Sequence, residues 1–149
     1  MRRFKFQGDR GALRFMARSM ASAIQPWTAS VGRRAIFVSV PMHRAKRRSR
    51  GLDQAATLAE AVARRLGRRF APGVLLRVRP TLPQGDVRVT SRARNVAGAF
   101  RVPRPRRVDG AVVVLVDDVR TSGHTAMECA RALTSAGACK VALLTAVQA

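Results

Sequence analysis

The fourteen residues Val112-Val113-Val114-Leu115-Val116-Asp117-Asp118-Val119-Arg120-Thr121-Ser122-Gly123-His124-Thr125 decide how this chain is read. From Ala111 to Val116 the run is almost fully apolar, as expected for a central parallel strand covered on both faces. Two consecutive carboxylates follow, and a short loop of small and hydroxyl residues then opens a helix. That arrangement suits a sugar phosphate. Backbone N–H groups of the Thr121-to-Thr125 turn and of the helix start can bind a phosphate dianion. Thr121, Ser122 and Thr125 add hydroxyl donors, and Gly123 allows close backbone approach. Carboxylates facing the phosphate would repel it, so Asp117 and Asp118 are placed to accept hydrogen bonds from sugar hydroxyls nearby. A bare Asp-Asp after a strand is more often a solvated turn; the full pattern favours a site, at the strand end where open α/β sheets bind ligands.

Working outward, His124 to Ala136 has helical spacing with Gly137 as its stop, and Val141 to Val147 reads as a final strand. Upstream, an amphipathic helix is expected from about Gly11 to Ile24, ended by Pro26. Ala35 to Val40 reads as a buried strand closed by Pro41, and the basic run His43 to Arg50 follows it directly. Asp53 to Leu66 reads as a helix with Asp53 as N-cap and Gly67 as stop. Val74 to Val78 and Gly98 to Val102 read as short strands. Between them, Arg79 to Ala97 has no clear period and reads as a long loop of the kind that serves as a lid or binding segment, a disordered basic loop being the competing reading. Strands alternating with helices indicate a three-layer α/β/α domain with a mainly parallel sheet, one domain over 1–149 with no internal repeat.

The chain has 149 residues and 47% hydrophobic side chains, enough for a core despite a net charge of +21. No apolar run is long enough for a membrane span and the N-terminus has no signal-peptide core, so a soluble, cytoplasmic protein is expected. Cys129 and Cys139 are too few for a disulfide scaffold or a four-cysteine zinc site, and both read as reduced packing residues. The charge is uneven: +12 over residues 1–50, +9 over 51–110 and zero over 111–149. Such a surface attracts polyanions, whether nucleic acid, a phosphorylated metabolite or an acidic protein. Arginine supplies 26 of the 29 basic residues, a bias that a GC-rich genome also produces.

The stretch 112–125 resembles the motif by which type I phosphoribosyltransferases bind phosphoribosyl diphosphate (PRPP). Further segments narrow the likeness: Val40-Pro41-Met42-His43 with Arg50-Gly51 and Gln54, Thr81 with Gln84, and Arg92 with Asn95 ahead of Gly98-Ala99-Phe100. Together with Lys5-Phe6-Gln7-Gly8-Asp9 they resemble the ComF family of that superfamily over nearly the whole chain. Ser39, Leu52-Asp53 and Ser122 are mild departures from its pattern. Many relatives also carry an N-terminal zinc ribbon with paired Cys-x-x-Cys, and no such cysteines occur here.

The resemblance implies that Asp117 and Asp118 hold the ribose hydroxyls. It implies that Val119, Arg120, Thr121, Ser122, Gly123, His124 and Thr125 cradle the 5-phosphate. A pyrophosphate loop is implied at Met42, His43, Arg44, Lys46 and Arg47, and lid contacts at Gln84, Arg92 and Asn95. A hood that selects the acceptor is expected from residues 1–34 and parts of 64–73, with the core over 35–149. Mg²⁺ is expected through PRPP, with no protein metal ligand named. The implied reaction displaces pyrophosphate by a nitrogen nucleophile. Purine-type members place a carboxylate where Thr121 stands, and a threonine is no base near neutral pH, so no catalytic base is assigned; His124 and His43 remain unproven. The alternatives are a PRPP sensor without turnover and a competence or DNA-uptake protein binding single- or double-stranded DNA. A scarcity of aromatics, with no tyrosine, argues against stacking platforms for single strands. The oligomeric state is open, a homodimer included.

Overall fold

The computed structural model describes residues 9–42, 53–80, 92–120 and 123–148. Helix α1 spans Arg10–Ser30 and leads through a short 3-10 turn into strand β1, Ala35–Ser39. Helix α2 is Gln54–Arg65, and strands β2 and β3 are the two-residue pairs Arg69–Phe70 and Leu76–Arg77. Helix α3, Arg92–Val96, precedes strand β4, Phe100–Arg101. Strand β5, Val112–Arg120, helix α4, His124–Ser135, and strand β6, Lys140–Gln148, complete the order.

The main sheet runs β2-β1-β5-β6, every pair parallel, and β3 pairs with β4 antiparallel as a separate hairpin. Side chains alternate across a strand, and this divides the core in two. Ile36, Val38, Val113 and Leu115 pack with Cys129 and Leu133 of α4 and with the hairpin. Phe37, Val114 and Val116 face the other way, against Met20 and Ile24 of α1 and Leu58 and Val62 of α2. The result is the expected three-layer α/β/α arrangement. From β1 the chain steps outward to β2, and from β5 it steps outward to β6 in the opposite direction, which puts α2 and α4 on opposite faces. The boundary between β1 and β5 is therefore the topological switch point of the sheet.

Asp53 caps α2 as expected, its Oδ1 accepting from the Ala56 amide at 3.1 Å. Pro26, however, lies inside α1 and does not end it. Both Pro26 and Ser22, whose carbonyl loses its partner, are exposed, so water can satisfy the lost bond. Burial of Met20 and Ile24, at roughly 1.5–3 kcal/mol each, offsets the roughly 3 kcal/mol a mid-helix proline costs. Strand β5 also continues past the acids, because Val119 and Arg120 pair with Val147 and Gln148 of β6. The segment 79–97 is not loop throughout, since α3 forms at its end and buries Val96. Cys129 is buried as expected, whereas Cys139 is exposed just before β6 and packs against nothing that would hide it.

Candidate functional site

Strand β1 pairs with β5 as far as Ser39 beside Val116, and the Val40 amide adds one more bond to the Val116 carbonyl at 2.8 Å. Beyond that point β5 is paired with β6 alone. Asp117 and Asp118 thus emerge at the switch point, at the carboxyl edge of the sheet, on the side where β1 has ended. Both are half-buried. The alternation that sends Leu115 toward α4 and Val116 toward α2 places the two acids on opposite faces of the strand. Asp117 lies on the α4 face, within electrostatic range of the Cys129 sulfur.

Gly123 joins this edge to α4. Its φ of 77° is in the left-handed region, open to glycine at little cost, and its carbonyl accepts the first helical bond, from the Met127 amide at 2.9 Å. No side chain among the described residues caps the helix. The N–H groups of its first turn, with the positive end of the helix dipole, point at the space beside the acids. His124 and Thr125 begin the helix and are half-buried, and the His124 Nδ1 atom is enclosed with no hydrogen-bond partner among the described residues. Met42 is half-buried just past the end of β1, so the edge brings Met42, Asp117, Asp118, Gly123, His124 and Thr125 together. Thr121, Ser122, His43, Arg44, Lys46, Arg47 and Gln84 lie outside the described residues. Val119 and Arg120 belong to β5 and not to the turn expected there, because β6 supplies them with backbone partners.

Asn95 sits in α3, with Arg92 as the first residue of that helix. The backbone around Asn95 forms one side of a stem with Arg79: the Arg79 guanidinium donates to the Asn95 carbonyl at 3.1 Å and to the Ala97 carbonyl at 2.6 Å. The Val78 amide donates to the Ala99 carbonyl at 2.8 Å. This stem is tied to the second turn of α4, where Glu128 Oε1 accepts from the Gly98 amide at 2.7 Å. Arg131 in turn donates to both Glu128 oxygens, at 2.9 and 2.7 Å.

Two residues of this neighbourhood escape a reading of the sequence. Glu128 looks like any solvent-facing helix acid. Arg77 interrupts the apolar Val74-to-Val78 run, and that interruption is its one signal. Arg77 is half-buried with its guanidinium 5.6 Å from the Phe100 ring centroid, and burial pulls its pKa down. The Cys129 thiol is pushed far up, chiefly by burial and then by Asp117, with Arg77 opposing. A half-buried cation therefore shares the surroundings of Asp117 around Cys129, and the buried Cys129 is no nucleophile. Among the described residues no three His, Cys, Asp or Glu side chains cluster as a metal site.

A parallel sheet with paired acids on the strand at its switch point, followed by a helix start that no described side chain caps, is the framework of the type I phosphoribosyltransferase fold. Residues 52–149 match the family model described as the phosphoribosyl transferase domain, and the chain belongs to that family. It is 38% identical over 105 residues to the DNA utilization protein YhgH of Salmonella typhi, an alignment covering 70% of this chain and 45% of that protein. The chain thus spans about half the length of the curated relatives it matches. This likeness agrees with the ComF-type pattern of the sequence. Among solved structures it is similar to an allosteric regulatory enzyme of purine biosynthesis, with TM-score 0.56, 23% identity and coverage of 90% of this chain and 25% of the other. It is also similar to the glutamine PRPP amidotransferase of B. subtilis, with TM-score 0.56, 20% identity and coverage of 91% and 26%. At such identities the structural likeness is one of fold.

Proposed function

We propose that this chain binds PRPP at the carboxyl edge of the sheet and transfers its phosphoribosyl group to a nitrogen acceptor, releasing pyrophosphate. The observation that carries the reading is the placement of Asp117 and Asp118 beyond the end of β1, next to a helix start that no described side chain caps. The N–H groups at the start of α4, from Gly123 to Thr125, suit a 5-phosphate dianion, and carboxylates suit ribose hydroxyls as hydrogen-bond acceptors. Asp117 and Asp118 are hard oxygen donors of the kind Mg²⁺ takes, the rest of its shell coming from ligand oxygens and water. Bound there, the ion would neutralise charge on the departing diphosphate.

Transfer through an oxocarbenium-like transition state asks the protein to hold the ribose, to stabilise the leaving diphosphate and to exclude water. The acids and the turn serve the first task. The segment after Met42 would serve the second, and the segment between Arg79 and Arg92, its stem fixed to α4, the third. With Thr121 in the position of the purine-type base, the acceptor either needs no deprotonation or meets a base from another segment.

Calorimetric titration with PRPP and Mg²⁺ tests the reading. Wild-type binding is expected, and Asp117→Asn or Asp118→Asn should each weaken it roughly ten- to a hundredfold, the worth of a hydrogen bond to a charged group. Wild-type protein that takes up no PRPP would overturn the reading. A second reading, action on nucleic acid, is favoured by the name of the YhgH relatives and by a charge surplus that one small ligand cannot use.

A further inference from the structure

The four parallel strands all start at one edge, and basic side chains stand at or just before each start. Arg33 and Arg34 lead into β1, Arg68 and Arg69 into β2, and Lys140 opens β6; ahead of β5, Arg106 and Arg107 sit in a 3-10 turn, where Arg106 is exposed and Arg107 donates to the Pro72 carbonyl at 3.3 Å. Register lines them up: Arg69 lies beside Ile36, Ala35 beside Val112, and Val112 beside Lys140. Helix α2 runs back toward this same edge and ends in Arg64 and Arg65. Between α1 and α2 an open groove of about 690 Å³ is lined by Ser22, Gln25, Thr28, Arg65 and Arg68 among others. Its wall is built: an Arg68 Nη donates to the Thr28 carbonyl at 3.3 Å, while the Arg68 Nε atom is enclosed without a partner among the described residues.

Little on this edge neutralises the charge. Arg33, Arg34 and Arg69 are exposed and make no ion pair or side-chain hydrogen bond among the described residues. The nearby acids are Asp109 and, within α2, Glu60, which pairs with Arg64 at 3.4 Å. From Val112 to Asp117 the strand covers about 16 Å, twice the roughly 8 Å Debye length at physiological salt. The arginine edge and the PRPP edge are therefore electrostatically separate, and the arginines cannot serve the small ligand.

We infer that this amino edge of the sheet binds the phosphate backbone of a nucleic acid. The inference rests on the second reading above and adds to it a place and a mode of contact. Exposed guanidinium groups at the starts of β1 and β2, with Arg106 ahead of β5 and the Lys140 ammonium at β6, match a linear polyanion, and planar two-pronged donors suit phosphate oxygens. Anionic lipid fits less well, because among the described residues the large exposed apolar side chains Phe15, Val78, Met127 and Leu143 belong to other parts of the fold, and an interfacial anchor needs such side chains beside the basic row. With contacts confined to phosphates, binding is expected to be sequence-independent and strongly salt-dependent.

The test compares wild-type protein, an Arg33→Gln/Arg34→Gln/Arg69→Gln variant and an Arg10→Gln/Arg14→Gln/Arg18→Gln control of equal charge change on the far half of α1. Fluorescence anisotropy reads binding to a labelled thymidine oligonucleotide, to a DNA duplex and to phosphatidylglycerol vesicles over roughly 50–200 mM salt. Wild type should bind one or both DNA forms. The edge variant should lose about tenfold in affinity. Its log–log salt slope should flatten by roughly 2, at about 0.7–0.9 for each phosphate that is no longer neutralised. The control should hold most of its affinity. An unchanged circular dichroism spectrum and melting midpoint show that the edge variant is folded, whether or not PRPP binds. Wild type that binds neither DNA form sinks the nucleic-acid reading itself. DNA binding lowered equally by both variants, or by neither, overturns the assignment of this edge, and binding to vesicles alone overturns the class of partner.

Discussion

At the scale of single residues, Glu128 shows how an unremarkable helix acid ties the base of a hairpin to the core. Its carboxyl is kept below the usual carboxylate range first by the hydrogen bonds from Arg131, with the Gly98 amide adding to them and burial opposing. A carboxylate whose pKa is depressed by folding adds stability above its unfolded value, near 4.3, and loses it as pH falls through the lower folded value. Arg131 is 60% exposed, so screening keeps the gain small, and the effect is local. The Gly98 amide should keep its hydrogen-exchange protection from neutral pH through the range where an ordinary glutamate protonates, and lose it only at lower pH. In Glu128→Ala it should be unprotected already at neutral pH, and equal protection in the variant would show that the stem is held by other contacts. Nothing in the sequence pairs Glu128 with Gly98, thirty positions apart, because the bond exists only once α4 docks beside the hairpin. Asp117 and Asp118 are legible because their meaning lies in adjacent residues.

Among the elements, those with a long apolar period are readable and the short ones are not. Strand β5 and helices α2 and α4 carry five or more apolar positions each, bounded by Asp53, Gly67 and Gly137. The two-residue strands β2 to β4 and the five-residue α3 have too few positions to show a period, and they exist through pairing and through burial of Val96 and Phe100. The end of β5 is hidden for a related reason: Val119 and Arg120 look like loop residues until β6 supplies partners. Pro26 misleads in the opposite sense, since a local breaker yields to tertiary packing. If that account of α1 is right, Pro26→Ala restores the bond to the Ser22 carbonyl and removes a ring clash. The gain, net of the looser unfolded chain, should be about 2 kcal/mol, read as a higher denaturant midpoint at constant m-value. An unchanged or lower midpoint would mean that the helix is shaped around the proline.

Over the whole molecule, charge and topology divide the protein into two ends. The neutral last quarter of the chain supplies the paired acids and the helix start at the carboxyl edge, while arginines from the first 110 residues crowd the amino edge. Composition alone reveals the surplus, but its separation from the acids follows from the parallel sheet, which collects all strand starts on one side. The two proposals give both ends a phosphate ligand, so a binding isotherm alone does not say which one a sugar phosphate chooses. A crystal soaked with PRPP and Mg²⁺ does. The expected result is the 5-phosphate on the backbone of Gly123, His124 and Thr125, with the ribose hydroxyls against Asp117 and Asp118. Density for PRPP on Arg33, Arg34 and Arg69, with the carboxyl edge empty, would contradict the account.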